Sequence, residues 1–203
     1  MSDKEYPKAP YSSAAKRNRQ PILDQLQLLL PASGTVLEVG SGTGEHAVWI
    51  CRELTGLQWQ PSDRAENLQG LRIRFDGEAN ARILPLLKLD VLTDVWPQET
   101  YDAAYSANTA HIMSWQAVEA MFTGVAQHLA KGAKFCLYGP FNIDGQFTAE
   151  SNAAFDMQLR SRDPEMGIRD MAALESLAAD GQMYLERKIP MPANNFILVF
   201  IKK

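Results

Sequence analysis

The sequence predicts an α/β fold, a doubly wound and mostly parallel sheet of seven strands that ends in an antiparallel C-terminal hairpin. Three observations predict it. Short apolar runs alternate with segments of helical period, the pattern of parallel strands buried on both faces and joined by crossover helices. Three glycines, Gly40, Gly42 and Gly44, fall between the first apolar run and the helical segment after it. The last two apolar runs are separated by Pro190-Met191-Pro192-Ala193-Asn194, with no helix between them, which makes them an antiparallel pair.

Taken in order, residues 1–11 read as a polar lead containing two prolines. Ser12-Ser13 supply a cap, and Ile22, Leu23, Leu26, Leu29 and Leu30 share one face of a helix over 12–30 that Pro31 stops. Residues 35–39 form the first strand and 45–54 a helix, so the glycines sit at a strand-to-helix turn. A second strand over 57–60 ends at a Pro61-Ser62 turn, and a helix over 66–78 follows. Strands at 83–89 and 101–107, a helix at 117–129 and a strand at 134–138 closed by Gly139-Pro140 continue the alternation. Helices at 151–160 and 170–179 precede the final strands at 183–189 and 196–201.

The 203 residues suit one domain. A hydrophobic fraction of 46% and a charged fraction of 22% are those of an ordinary folded chain. The net charge of -4 supplies no general attraction to nucleic acid. No stretch reaches the roughly 18 apolar residues of a membrane span, and the lead lacks the apolar core of a secretory signal, so a cytoplasmic protein with no membrane partner is expected. Cys51 and Cys136 fall within a helix and a strand, where they read as small hydrophobes rather than a disulfide, in keeping with a reducing compartment.

Glycines at a tight strand-to-helix turn let the backbone approach a ligand closely. The dinucleotide fingerprint G-x-G-x-x-G/A needs a small third residue, and counting from Gly40 that position is Glu45. A carboxylate there repels a pyrophosphate but not a cofactor that lacks phosphates and carries a positive sulfonium. The turn therefore favours S-adenosylmethionine over NAD. Asp63, beyond the second strand, is placed to accept hydrogen bonds from ribose hydroxyls, although an Asp in this position also reads as a turn residue or helix cap.

The spacing Glu38-x-Gly40-Ser41-Gly42-x-Gly44 resembles the first motif of class I S-adenosylmethionine-dependent methyltransferases. The resemblance implies a Rossmann-like sheet and a site spread over successive strand ends. In it Glu38 helps hold the methionine end, Asp90 accepts from the adenine amino group while Val91 packs on the ring, and Asn108 meets the methionine moiety. The chain is also similar over nearly its whole length to the methyltransferase-like 26 family, in the stretches Ser13-Ala14-Ala15-Lys16-Arg17-Asn18, Ala107-Asn108-Thr109-Ala110-His111-Ile112, Tyr138-Gly139-Pro140-Phe141, Ser151-Asn152-Ala153-Ala154-Phe155-Asp156 and Met191-Pro192-Ala193-Asn194-Asn195. This likeness implies methyl transfer by one domain over 1–203 and brings no acceptor with it.

Methyl transfer is an in-line displacement in which alignment matters most and a base is needed only for a protonated acceptor. His111, three residues beyond Asn108, is the candidate base, and a structural histidine is the competing reading. Tyr138, grouped with His111 as a catalytic candidate, and Asn194 and Asn195 are placed to orient an acceptor; the competing readings are core packing for Tyr138 and a turn for the asparagines. Arg17 and Asn18 either close over the site or form a solvated helix start. No second domain is expected to recognise a macromolecule, which points to a small-molecule acceptor. His46 and His128 lack a second ligand at metal spacing, so no metal is expected. The four tryptophans read as packing residues. Two other functions compete: a non-catalytic protein that holds the cofactor or a partner, and an NAD(P)-dependent oxidoreductase using Tyr184-x-x-x-Lys188. The second is opposed by Glu45 and by the placement of that pair in an expected strand.

Overall fold

The computed structural model describes residues 9–78 and 80–203, so most of the polar lead lies outside the described residues. Helix α1 spans Ser13–Leu29, with the Ser12 hydroxyl accepting from the Ala15 amide at 3.2 Å. Strand β1 (Gly34–Val39) leads into α2 (Glu45–Glu53), and β2 (Leu57–Asp63) leads through one 3-10 turn into α3 (Leu68–Gly77). Then come β3 (Leu87–Lys88), β4 (Tyr101–Ala107), α4 (Trp115–His128), β5 (Leu129–Gly139) and β6 (Phe141–Asn142). The chain ends with α5 (Glu150–Arg162), β7 (Arg169–Asp170), α6 (Met171–Asp180), β8 (Met183–Met191) and β9 (Asn195–Lys202).

Seven strands form one sheet in the order β3-β2-β1-β4-β5-β9-β8. The first five run parallel, and β9 is antiparallel to both β5 and β8. One reversed strand in an otherwise parallel sheet is the architecture expected. The core lies in two layers, because successive residues of a strand point to opposite faces. Phe135 and Leu137 of β5 join Phe122 of α4 and Leu174 of α6 on one face. Cys136 and Tyr138 join Ile22, Leu26 and Ile50 on the other. Phe122 meets Phe135 and Phe200 edge-on at 5.5 and 5.3 Å, and Trp96 lies so close to α4 that a Cβ on Gly124 would stand 2.1 Å from its ring.

Two elements differ from expectation for identifiable reasons. Strand β2 runs straight through Pro61, which occupies a ladder position rather than a turn. Odd-numbered residues of β2 bond toward β3: Trp59 exchanges bonds with Arg82 and Leu84, and the Asp63 carbonyl accepts from Leu89. Pro61 therefore faces the gap between the Trp59–Ile83 bridge and the Ser62–Leu87 pair, where Pro85 sits. Two prolines that cannot donate fall in this stretch, and the third strand, expected over 83–89, shrinks to two residues and an isolated bridge. Strand β5 instead begins five residues early and takes in Lys131-Gly132, with Gly132 at φ +80° and the β4–β5 register shifting opposite it. Beyond the main sheet, β6 and β7 form a small parallel ladder of their own. Among the described residues no helix is long and apolar enough to cross a membrane. Both cysteines are buried thiols.

Candidate functional site

The strand order reverses between β1 and β4, so the connections after these two strands diverge and leave a crevice at the C-terminal edge of the sheet. A cavity of about 980 Å³ fills it. Its sheet side is the turn Gly40–Thr43 together with Asp63, Asp90-Val91 and Asn108-Thr109, which follow β1, β2, β3 and β4. The start of α1, the start of α5 and the β8–β9 turn enclose the other side.

The turn after β1 is wound tightly on itself. The amides of Gly40 and Ser41 both donate to the Ser62 carbonyl, Gly44 donates to the Ser41 carbonyl, and Gly42 donates to Asp63 Oδ2 at 2.6 Å. Gly40, Gly42 and Gly44 all have positive φ, but their surroundings differ. A Cβ on Gly40 would stand 2.4 Å from Thr109 Cγ2, and one on Gly44 would strike Phe75 of α3. One on Gly42 would meet nothing within 4 Å and would project into open space. Beneath the turn, Glu38 accepts from Ser41 Oγ at 2.6 Å and from Trp59 Nε1 at 3.0 Å. Burial pushes its carboxyl up to about 7.

Asp63 Oδ1 accepts from the Arg64 amide and from Asn67 Nδ2, both at 2.8 Å. With Gly42 on Oδ2, three of the roughly four acceptor sites of a carboxylate are taken and one is open to the cavity. Asp90 accepts from the Leu92 amide at 3.0 Å and faces Arg64 at 3.5 Å. Asn108 follows β4 directly in the left-handed region at φ +58°, its main-chain amide bonded to the Tyr138 carbonyl. Thr109 beside it is fixed by a bond to Ser106, whose hydroxyl also donates to the Val39 carbonyl at 2.7 Å. His111 packs its ring edge-on against Phe155 of α5 at 5.2 Å. Burial, reinforced by the charge of Arg169, holds its imidazole down at about 4.

Of the residues singled out in the sequence, Arg17, Gly40, Ser41, Gly42, Asp63, Asp90, Val91, Asn108, His111, Asn194 and Asn195 come together on this cavity. Glu38, Gly44, Asn18 and Tyr138 do not line it, and each stands behind a residue that does. Glu38 supports Ser41, and Gly44 packs α2 on α3. Asn18 accepts from His46 Nε2 at 2.8 Å, and its side chain lies beside the Tyr138 hydroxyl. His46, read from the sequence only as a helix histidine with no metal partner, lines the cavity. Its Nδ1 lies 3.1 Å from the Tyr105 hydroxyl, and burial holds it down at about 4, so it stands neutral between two fixed partners. Its partners are 28 and 59 residues away in the chain, and no local pattern announces such a pairing. Glu45 also lines the cavity, but it is ion-paired to Arg19 and, at 3.5 Å, to Arg74. The charge that was to repel a pyrophosphate is thus largely offset. What opposes a phosphate instead is the turn itself, whose amides at 40, 41, 42 and 44 already have acceptors.

A family model described as a protein of unknown function, DUF938, matches residues 9–202. The chain belongs to the DUF938 family. Among solved structures it is similar to CalO1, a methyltransferase in calicheamicin biosynthesis solved in its S-adenosylhomocysteine-bound form, with a TM-score of 0.73 and 22% identity over 94% of this chain and 55% of that one. The mitomycin 7-O-methyltransferase MmcR matches with a TM-score of 0.78 and 15% identity over 92% of this chain and 54% of that one. An O-methyltransferase family protein from Burkholderia thailandensis matches with a TM-score of 0.81 and 12% identity, over 94% and 57%. This DUF938 chain thus has the fold of S-adenosylmethionine-dependent O-methyltransferases and spans a little over half the length of these structures. Among the described residues no group of three His, Cys, Asp or Glu side chains is placed to hold a metal ion.

Proposed function

We propose that this chain, as one domain over 1–203, is an S-adenosylmethionine-dependent methyltransferase acting on a small molecule in the cytoplasm. The observation that carries the reading is the turn after β1. Four of its amides, those of Gly40, Ser41, Gly42 and Gly44, already have acceptors, so few of its donors are left for a phosphate. It nonetheless presents Asp63, with one open acceptor site, and the vacant space over Gly42 to the cavity. That donor set suits a nucleoside without phosphates. The methyltransferase names of the structures with this fold support the same cofactor, and the resemblance proposed from the sequence to methyltransferase-like 26 implies the same chemistry. When bound, the cofactor supplies a methyl group on a sulfonium for in-line displacement.

The chain's residues do the rest. Asp63 accepts from a ribose hydroxyl, Asp90 from the adenine amino group with Val91 against the ring, and Asn108 meets the methionine moiety. Glu38 serves the cofactor through the turn, by holding Ser41 and Trp59. His111 is neutral at physiological pH and takes the acceptor's proton as the new bond to the methyl forms. Arg17, Asn194 and Asn195 orient the acceptor, while Asn18 and Tyr138 act from behind by fixing α1 against His46. The oxidoreductase reading finds no such support: Tyr184 and Lys188 lie on edge strand β8, away from the cavity, and Lys188 pairs with Glu175 at 2.7 Å.

Calorimetry with S-adenosylmethionine and NAD in parallel tests the cofactor. Heat with the first and none with the second is expected, and no heat with the first overturns the proposal. Incubation of a metabolite extract with isotope-labelled methyl donor, followed by detection of S-adenosylhomocysteine and the labelled product, separates a methyltransferase from a protein that only holds the cofactor.

A further inference from the structure

The turn that carries His111 is held from far along the chain. Residues 109–113 form one helical turn in which Ile112 and Met113 both donate to the Thr109 carbonyl, at 2.9 and 3.2 Å. Three of the other carbonyls bond to the segment between α5 and α6. Ala110 accepts from Arg169 Nε at 3.0 Å, His111 from the Gly167 amide at 2.9 Å, and Met113 from Arg169 Nη2. Nη2 also donates to the Glu165 carbonyl at 2.8 Å, which ties the guanidinium to its own loop. Arg169 is buried, opens β7 and lies over the Trp115 ring.

A buried arginine is usually paired with a carboxylate. This one directs its hydrogen bonds at main-chain carbonyls, two of which flank His111. We infer that Arg169 is a positioning residue for His111, its rigid fork fixing the turn so that the imidazole faces the cavity against Phe155. The inference rests on the reading of His111 as the base. Lysine cannot reproduce the geometry, because a single ammonium lacks the planar fork that spans both carbonyls.

The charge matters as well as the shape. Arg169 sits behind His111 and disfavours a second positive charge there, which adds to the effect of burial. The other charged groups around it are engaged elsewhere: Asp156 of α5 pairs with Arg160 at 2.7 Å and accepts from the Ile168 amide, and Asp163 accepts from the Glu165 amide. The Glu165 carboxylate, on the same loop, acts on Arg169 itself. The charge of Arg169 weakens the imidazole as a proton acceptor, so what Arg169 gives the base is its orientation.

Imidazole NMR on the full chain tests this without knowledge of the acceptor. His46, His111 and His128 give three ring signals, and His111→Gln assigns the one that matters. Arg169→Gln is expected to raise the His111 titration midpoint by at least half a pH unit and to weaken the ring contact between His111 and Phe155. His46 should keep its midpoint, and S-adenosylhomocysteine affinity should stay within about twofold. Arg169→Lys is expected to keep the low midpoint and still lose the ring contact. An unchanged midpoint and contact in Arg169→Gln overturns the inference, and if that variant does not fold, an intact Phe155 contact in Arg169→Lys overturns it. A failure of the base reading shows separately, as His111→Gln releasing S-adenosylhomocysteine at the wild-type rate while the NMR result stands.

Discussion

At the end of β2 one carboxylate has two tasks. Asp63 closes the glycine turn through Gly42 and keeps one acceptor site toward the cavity, so its removal should be felt in both stability and binding. Asp63→Ala is expected to weaken S-adenosylmethionine binding at least tenfold in calorimetry, and to cost about 1–3 kcal/mol in urea denaturation by leaving the Gly42 amide without its acceptor. Binding that survives the substitution would refute the ribose assignment. The two glycines beside it separate backbone strain from crowding. Alanine at either must adopt positive φ, at about 1–2 kcal/mol. At Gly40 the new methyl also meets Thr109, so Gly40→Ala should be the more destabilising, whereas Gly42→Ala should lose cofactor affinity beyond its modest cost in stability. Equal losses of stability in the two variants would contradict this. These residues were legible in the sequence because glycine and aspartate at strand ends follow local rules of spacing. Glu38 was legible as a position but not in its surroundings, since its partner Trp59 lies 21 residues on and is brought over it only by the parallel pairing of β1 and β2. The partners of His46, and Arg169 altogether, escaped the sequence for the same reason in stronger form, since the contacts come from other elements.

Among the elements, α1 is the one whose docking the site needs most. Its start walls the cavity, and it is fastened by Arg19 to Glu45, by Asn18 to His46 and, ahead of it, by Arg74 to the Pro10 carbonyl at 2.6 Å. Asn18→Ala leaves the buried His46 Nε2–H without an acceptor, which costs about 1–3 kcal/mol. Because the same bond sets α1 against the cavity, cofactor affinity should fall with it, although Asn18 itself does not line the site. A variant destabilised in urea but binding S-adenosylmethionine with wild-type affinity would show that α1 is not part of the enclosure. The apolar stripe Ile22, Leu23, Leu26 and Leu29 made this helix readable, and all four residues are buried. Elements went astray where the deciding fact was a neighbour. The third strand loses its middle where Pro61 and Pro85, neither able to donate, fall between the Trp59–Ile83 bridge and the Ser62–Leu87 pair, and the fifth gains an early start because pairing with β4 overrides the helix-stop signal of Lys131-Gly132. The hairpin was legible from its lack of an intervening helix, and its turn is made by Ala193 and Asn194 at φ +58° and +57°, where only the asparagine is a residue that favours such angles.

At the scale of the molecule, three buried groups among the described residues govern how stability depends on pH between about 4 and 7, and they pull in opposite directions. His46 and His111 are held at about 4, below the ordinary 6.5, so as the pH falls through 6.5 the unfolded chain takes up protons that the folded chain refuses. Their contribution is complete above 6.5 and is lost as the pH falls toward 4, at about 3 kcal/mol each when fully lost. Glu38 is held at about 7, above the ordinary 4.5, so the folded chain keeps a proton that the unfolded chain has released. Its contribution is complete below 4.5 and is lost as the pH rises to 7. Between 4.5 and 6.5 the unfolded chain therefore binds about two extra protons through the histidines and about one fewer through Glu38, a net of about one. Stability should rise with pH by about 1.4 kcal/mol per unit across that window and level off near 7. Glu38→Gln removes the opposing group and should about double the slope, while His111→Gln should bring it close to zero. Urea denaturation at half-unit intervals of pH measures all three slopes, and a His111→Gln profile steeper than wild type would mean that His111 is not buried neutral in the folded chain.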